Sequence, residues 1–146
     1  MIPDRYAPTT YALFRIVFGF LFLCFGLQKV FGLLGGTQAP LMSLQGAAGV
    51  VETVCGLLIM LGLFTRPAAF LACREMAVAL WYIHAHVIAT SPGKDVLAPG
   101  VPTLYNLLPH NNGGVDSVAF CFAFLYIASR GAGQWGFDAL KSGGRR

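Results

Sequence analysis

The sequence has little charge: Asp, Glu, Lys and Arg make up only 11% of its 146 residues, whereas 56% are hydrophobic. A soluble domain needs more polar surface than this, so an ordinary soluble fold is excluded. The mean hydropathy of +0.67 is instead typical of an integral membrane protein. The cations behind the net charge of +4 concentrate at the ends of apolar runs and in the tail. That placement sets orientation in a lipid bilayer and predicts no nucleic-acid partner.

Cysteine pairs and cofactor motifs are also lacking. The four cysteines include no CxxC pair, and each lies singly within an apolar run. This pattern predicts neither a zinc site nor a disulfide framework, and we interpret the cysteines as small buried hydrophobic residues. The sequence has no phosphate-binding glycine loop, no CxxCH haem motif and no iron–sulfur cysteine set. We therefore do not expect the chain by itself to hold a redox cofactor of those kinds.

Four apolar runs approach or reach the ~20 residues that a helix needs to cross a bilayer. They predict an all-α four-helix transmembrane bundle in a single membrane domain, residues 1–146, with spans at about 11–32, 44–64, 67–89 and 115–130. The Pro- and Gly-rich stretch 91–114 predicts a long outer loop. Its apolar residues would be costly to leave in water, so we expect the loop to cover the outer mouth of the bundle. These residues are Leu97, Leu104, Tyr105 and Leu108.

Glycines in the first two spans predict close helix contact. Gly19 and Gly26 are seven residues apart and fall on nearly one face of the first span, which should therefore face inward. The second span carries small residues at a similar spacing, at Gly46, Gly49 and Gly56.

Basic residues predict the orientation in the membrane. The side that holds both termini and the turn between the second and third spans carries far more cations than the other side, which has only Lys29 and Lys94. Because cytoplasmic loops carry the excess of Lys and Arg, both termini should be cytoplasmic. The cations on that side are Arg5, Arg66, Lys141, Arg145 and Arg146.

Ionisable residues inside the predicted spans form two belts, each containing both signs of charge. A charge within a span costs roughly 2.5–3.5 kcal/mol on insertion scales, so each needs a partner or a task. We assign structural charge pairing to the cytoplasmic belt of Arg15, Arg74 and Glu75. The outer belt is either a second set of charge pairs or a site that handles protons for a ligand. Its members are Lys29, Glu52, His84, His86 and Asp116.

Within the outer belt we take Glu52 and His86 as the first catalytic candidates and Asp116 as the reserve. Glu52 should be buried between helices and paired with Lys29 or a histidine. An aromatic-lined cleft would suit an apolar ring such as a quinone, and the candidates for binding it are His84, Tyr82 and Lys29. No metal site is predicted, because two histidines two residues apart point in different directions on a regular helix.

Several motifs together carry a family resemblance over nearly the whole chain. They are Arg15 with Gly19, GLQKVFG at 26–32, Glu52 with Gly56, LGLFTRP at 61–67, Met76 with His84 or His86, NNGG at 111–114, and GAGQWGFD ending at Asp138. In this order and spacing they resemble the DoxX family of small bacterial four-helix membrane proteins. The family often has a Glu directly after Asn-Gly-Gly, where this chain has Val115 and then Asp116.

The resemblance implies a multi-pass protein of the bacterial inner membrane with a place in a membrane redox assembly. Some relatives are subunits of a thiosulfate:quinone oxidoreductase, and others accompany redox-defence or metal-handling proteins. Three function classes therefore stay open. The chain is an integral membrane subunit of a quinone-linked oxidoreductase, a non-catalytic accessory or assembly subunit of a larger membrane complex, or, less favoured by its length, a small-solute transporter. Either subunit role implies other membrane or redox subunits as partners.

Overall fold

The structure, a computed structural model, describes residues 3–88 and 108–143, and places side chains in 3–84 and 108–140. The regular structure within those ranges is helical, which confirms the all-α class. After a 3₁₀ turn at Asp4–Tyr6, the helices are α1 (Ala7–Phe31), α2 (Leu44–Leu61), α3 (Thr65–Val78) with a π-helical continuation at Ala79–Ile88, α4 (Pro109–Asn112), α5 (Val115–Arg130) and α6 (Phe137–Gly143).

Two of the described helical segments are long and apolar enough to cross a membrane. They are Asp4–Phe31, with 28 residues, and Leu44–Leu61, with 18 residues. The two further spans of the four-helix bundle stay a prediction. Of the residues assigned to them, 67–88 lie on α3 and its π-helical continuation and 115–130 lie on α5, while residue 89 lies outside the described residues.

The chain divides into two compact units. The first consists of Met1–Ala72 together with Phe124–Arg146, and the second of Cys73–Ala123. The first unit contains α1, α2, the start of α3, the end of α5, and α6. The second contains the rest of α3, the π-helical segment, α4 and the start of α5.

Local signals set the ends of the first two helices. Gly32, with φ at +65°, terminates α1, and Gly62, with φ at +71°, terminates α2. Glycine takes this left-handed conformation without steric cost, so it can close a helix end through backbone hydrogen bonds. Ser43 precedes α2, and its side chain accepts a hydrogen bond from the Gly46 N–H at 3.1 Å. This cap satisfies one of the unpaired donors at the helix start.

The predicted inward face of the first span is confirmed, because Gly19 and Gly26 are both buried against α2. A Cβ on Gly19 would lie 2.6 Å from the Met60 nitrogen, and one on Gly56 would lie 2.5 Å from the Leu23 nitrogen. The two backbones therefore touch, and α1 and α2 run antiparallel. We call this contact the glycine seam, and its glycines are Gly19, Gly26, Gly49 and Gly56.

In the second unit the NNGG sequence forms a tight turn against the π-helical segment. The Asn112 Oδ1 accepts a hydrogen bond from the Gly114 N–H at 2.9 Å, and Gly113 takes φ at +74°. A Cβ on Gly114 would lie only 2.8 Å from the Leu80 Cδ1 and 3.3 Å from the His84 Cβ. The glycines therefore allow the turn to approach His84 closely.

Most of the predicted outer loop, together with Leu97, Leu104 and Tyr105, falls in 89–107 and so lies outside the described residues. Leu108, at the edge of this range, is half exposed. The loop's position over the bundle stays a prediction.

Candidate functional site

The first candidate group is an ion pair within the glycine seam. The Lys29 ammonium on α1 donates a hydrogen bond to the Glu52 carboxylate on α2. This confirms the prediction that Glu52 pairs with Lys29 or a histidine. Gly49 lies beside the pair, since a Cβ on it would lie 2.7 Å from the Lys29 Cβ. The close approach of the two helices therefore brings the two charges together.

The two partners differ in their access to solvent or headgroups. The Glu52 side chain is 2% exposed, whereas the Lys29 side chain is 34% exposed. A buried carboxylate loses its hydration, and an opposite charge with a hydrogen bond offsets that cost. Because the Lys29 side chain is partly exposed, the ion pair links the buried Glu52 carboxylate to the surface of the unit.

The second candidate group is His84 in the second unit. Its Nδ1 lies 3.1 Å from the backbone oxygen of Asn112. A carbonyl oxygen only accepts hydrogen bonds, so Nδ1 must be the donor. The neutral ring then presents Nε2 as an acceptor, and the backbone of the NNGG turn fixes its orientation. A shallow groove of about 360 Å³ is lined by Ala77 and Val78, at the end of α3, and by Trp81 and Tyr82, on the π-helical segment that also carries His84.

The other predicted site residues are placed as follows. Tyr82 is 54% exposed and borders the groove. Asp116 is exposed in the first turn of α5. His86 belongs to the π-helical segment, but its side chain lies outside the described residues. Arg74 is exposed and Glu75 is half-buried, and the charge pairing assigned to them stays a prediction.

Arg15 is fully buried and binds the end of a helix. Its Nη1 donates to the backbone oxygens of Ile59 and Met60, the second of these at 2.8 Å. These carbonyls belong to the last turn of α2, where backbone acceptors have no partner within the helix and the helix dipole is negative. Within the described residues, the Nε and Nη2 of Arg15 have no hydrogen-bond partner. Arg15 therefore caps α2 from α1.

Asp138 caps the next helix from the tail. Its carboxylate accepts hydrogen bonds from the Phe64 N–H at 3.0 Å, the Thr65 N–H at 2.9 Å and the Thr65 hydroxyl at 3.0 Å. The Asp138 N–H in turn donates to the Gly62 oxygen at 2.9 Å. An acceptor at a helix start satisfies otherwise unpaired N–H groups and favours the dipole. Asp138 therefore fixes the turn between α2 and α3.

A third helix end is held by Arg66. Its Nη1 donates to the oxygens of Ala128, at 3.2 Å, and Ser129, at 2.8 Å, in the last turn of α5. The Tyr11 hydroxyl donates to the Gly131 oxygen just beyond. The ends of α2, α3 and α5 are thus all capped by side chains from elsewhere in the chain. We call this group of Arg15, Asp138 and Arg66 the helix-end junction.

The sequence did not predict the roles of Asp138 and Arg66. A signal for Asp138 was present, because the residue before α3 is Phe64, whose side chain cannot accept a hydrogen bond. Phe64 also has a φ of +47°, which is strained for a residue with a bulky side chain. A helix that begins in this way needs an acceptor from elsewhere.

The described residues thus form helices only, and two of these helices, joined by an ion pair, have the length and composition of membrane spans. The DoxX family profile matches residues 10–85, and the chain belongs to the DoxX family. An uncharacterized protein of Haemophilus influenzae is 33% identical over 139 residues, which cover 92% of each chain. An uncharacterized membrane protein of Mycobacterium tuberculosis is 27% identical over 139 residues, or 90% of this chain and 80% of the relative. No solved structure matches the chain significantly.

Proposed function

We propose that this protein is an integral membrane subunit of a quinone-linked redox complex. The observation that carries the proposal is the His84 ring, whose Nδ1–H is held by the Asn112 carbonyl at 3.1 Å. This leaves Nε2 as an acceptor for the hydroxyl group of a quinol. We assign the apolar ring to the groove lined by Trp81 and Tyr82, because aromatic and apolar side chains suit such a ligand.

In this proposal, a quinone or quinol supplies the electron-accepting or electron-donating ring, and the chain's own residues bind it and move protons. His84 orients a ring oxygen, and Tyr82 contributes to binding. Glu52, paired with Lys29, holds or releases a proton, while His86 and Asp116 are further candidates for the proton path. Electrons are exchanged with a partner subunit.

The binding step is tested with His84→Ala, using the complex purified from native membranes. We expect a several-fold loss of extractable quinone and of quinone-linked turnover, because the ring oxygen loses its oriented partner. His110→Ala is the matched control, since His110 is exposed on α4 and is not a candidate. Bound quinone that is unchanged in His84→Ala, with normal expression, would contradict this site.

The proton step is tested with Glu52→Gln, which keeps the shape of the side chain and removes its proton exchange. We expect lower turnover with nearly normal quinone content, because binding is assigned to His84 rather than to Glu52. Asp4→Asn is the matched control, since Asp4 is exposed before α1. Equal turnover in Glu52→Gln and wild type would leave the ion pair with a structural role only.

The proposed topology is four spans in the bacterial inner membrane with both termini in the cytoplasm. It rests on the excess of cations on the side of the termini. A single cysteine introduced at Lys94, in a background without the native cysteines, should be labelled by an impermeant maleimide from the periplasmic side. Labelling from the cytoplasmic side alone would overturn this topology.

A second candidate function is that of a non-catalytic accessory subunit. The connection between α1 and α2 favours it, because Leu33, Leu34, Leu41 and the fully exposed Met42 leave apolar surface uncovered in this chain. A photoreactive amino acid at Met42 should then cross-link to a partner chain in native membranes, whereas the same group at Asp4 should not. Cross-links to lipid alone would count against this function.

A further inference from the structure

Two of the four cysteines, which are isolated in the sequence, meet in the second unit. The sulfur atoms of Cys73, on α3, and Cys121, on α5, lie 3.6 Å apart, although 48 positions separate them in the chain. Both are free thiols. A disulfide bond has a length of about 2.05 Å, so the two sulfur atoms need to approach by roughly 1.5 Å. Rotation of two short side chains can supply a movement of that size.

The two thiols differ in accessibility. Cys73 is buried, with 9% of its surface exposed, whereas Cys121 is half-buried. Met76, one turn after Cys73 on α3, and Phe120, next to Cys121 on α5, are both buried apolar residues, and both cysteines fall within predicted membrane spans. A charged oxidant enters a lipid bilayer poorly, whereas a neutral one can enter. Cys121 is therefore the thiol that an oxidant reaches first, and Cys73 is placed to react second.

We propose that Cys73 and Cys121 are a redox-active pair that a neutral hydroperoxide converts to a disulfide. The Cys121 sulfur attacks the terminal oxygen of the hydroperoxide, the O–O bond breaks, and the leaving oxygen takes the thiol proton and departs as an alcohol. Cys121 is then a sulfenic acid. The Cys73 sulfur attacks the Cys121 sulfur, the S–O bond breaks and water leaves with the Cys73 proton. Two thiols are oxidised by two electrons, and one hydroperoxide is reduced to an alcohol.

The disulfide would link α3 to α5 covalently within the second unit. The inference does not rest on the quinone-linked function, because it needs no quinone and uses neither His84 nor Glu52. The two proposals therefore fail independently, since one predicts quinone content and the other predicts the state of the thiols.

The test uses the full chain in proteoliposomes treated with cumene hydroperoxide, then denatured and alkylated. In the wild type, we expect the number of alkylated thiols to fall from four to two, and mass spectrometry to identify a peptide joined through Cys73 and Cys121. Cys24 and Cys55, in the first unit, are internal controls and should stay fully alkylated. Four alkylated thiols after treatment, or losses at Cys24 and Cys55 instead, would overturn the pair.

Two variants test the order of the steps. In Cys73→Ala the Cys121 sulfenic acid has no second thiol nearby, so dimedone should label Cys121. In Cys121→Ala, dimedone should not label Cys73, because Cys73 is the more buried thiol. Labelling of Cys73 and not Cys121 would overturn the assigned order.

A further experiment tests the chemical class of the oxidant. Tetrathionate, a charged oxidant, should leave all four thiols of the wild type reduced. Disulfide formation with tetrathionate would contradict the proposal that the oxidant is neutral.

Discussion

Two regions of the first unit hold buried charge in different ways. In the glycine seam, the buried Glu52 is offset by the ammonium of Lys29. At the helix-end junction, the buried Arg15 is offset by backbone carbonyls of α2, and the Asp138 carboxylate by backbone N–H groups at the start of α3. One region thus pairs two opposite charges through a direct hydrogen bond. The other hydrogen-bonds its charges to the partial charges of helix ends, and the Asp138 carboxylate also acts electrostatically on Arg15.

This difference between the two regions bears on where the proposed proton step takes place. Backbone amides and carbonyls do not change their protonation state, so the backbone hydrogen-bond partners of Arg15 and Asp138 stay the same at any pH. The Lys29 side chain is 34% exposed, so the partner of the buried Glu52 carboxylate is a charged group that the protein does not fully enclose. The seam is therefore the region of the first unit to which the proposed function assigns its proton step.

The largest expected loss of stability comes from a substitution that prevents the close contact of α1 and α2 in the glycine seam. In Gly56→Leu the Cβ would lie 2.5 Å from the backbone nitrogen of Leu23, and a backbone cannot move aside as a side chain can. We expect a destabilisation of at least about 3 kcal/mol, beyond the usual range for overpacking. The corresponding fall in Tm, followed by circular dichroism in detergent, is roughly 6–12 °C.

Ala47→Leu is the matched control for this variant, because Ala47 is exposed on the same helix. Its Tm should stay close to that of the wild type. An equal fall in Tm in the two variants would show that α2 tolerates a larger side chain at neither position. The close contact at Gly56 would then not be the cause of the destabilisation.

The next effect is an asymmetry between the two partners of the ion pair. Lys29→Gln removes the ammonium from a carboxylate that is 2% exposed, and we expect a cost of about 3 kcal/mol. Glu52→Gln leaves an ammonium that is 34% exposed and can be solvated, so its cost should be nearer about 1 kcal/mol. Thermal unfolding of both variants measures the difference.

The double variant Lys29→Gln/Glu52→Gln tests whether the cost of the first variant comes from the buried charge. It should recover most of the stability lost in Lys29→Gln, because the buried carboxylate is gone. A double variant no more stable than Lys29→Gln would indicate that the Lys29 side chain acts through packing rather than through its charge.

The sequence predicted the seam better than the junction for a physical reason. Apolar spans contain few charges, so a buried acid such as Glu52 has few potential partners, and glycine spacing indicates which helix faces meet. At the junction, the partners of Arg15 and most partners of Asp138 are backbone atoms, which every residue carries, so residue types do not identify them. The meeting of Cys73 with Cys121 could not be predicted either, because it depends on the packing of α3 and α5 rather than on spacing in the chain.

A smaller loss is expected at the start of α3. Asp138→Ala removes the acceptor of three hydrogen bonds from Phe64 and Thr65 and should cost about 2 kcal/mol. Asp138→Asn is the matched control, because its amide oxygen still accepts and its loss should be about half as large. Equal stability of Asp138→Ala and the wild type would show that the cap does not stabilise the turn.

The smallest expected effect is at the end of α5. Arg66 donates to the oxygens of Ala128 and Ser129 as Arg15 does on α2, but Arg66 is exposed, so water can replace it at both carbonyls. Arg66→Ala should therefore cost less than about 1 kcal/mol, and added salt should reduce even that difference. Arg66→Lys keeps the charge and should retain most of the stability. If Arg66→Ala lowered the Tm as much as Asp138→Ala, the burial of a junction residue would not determine how much that residue stabilises the fold. The three capped helix ends would then act as one cooperative unit.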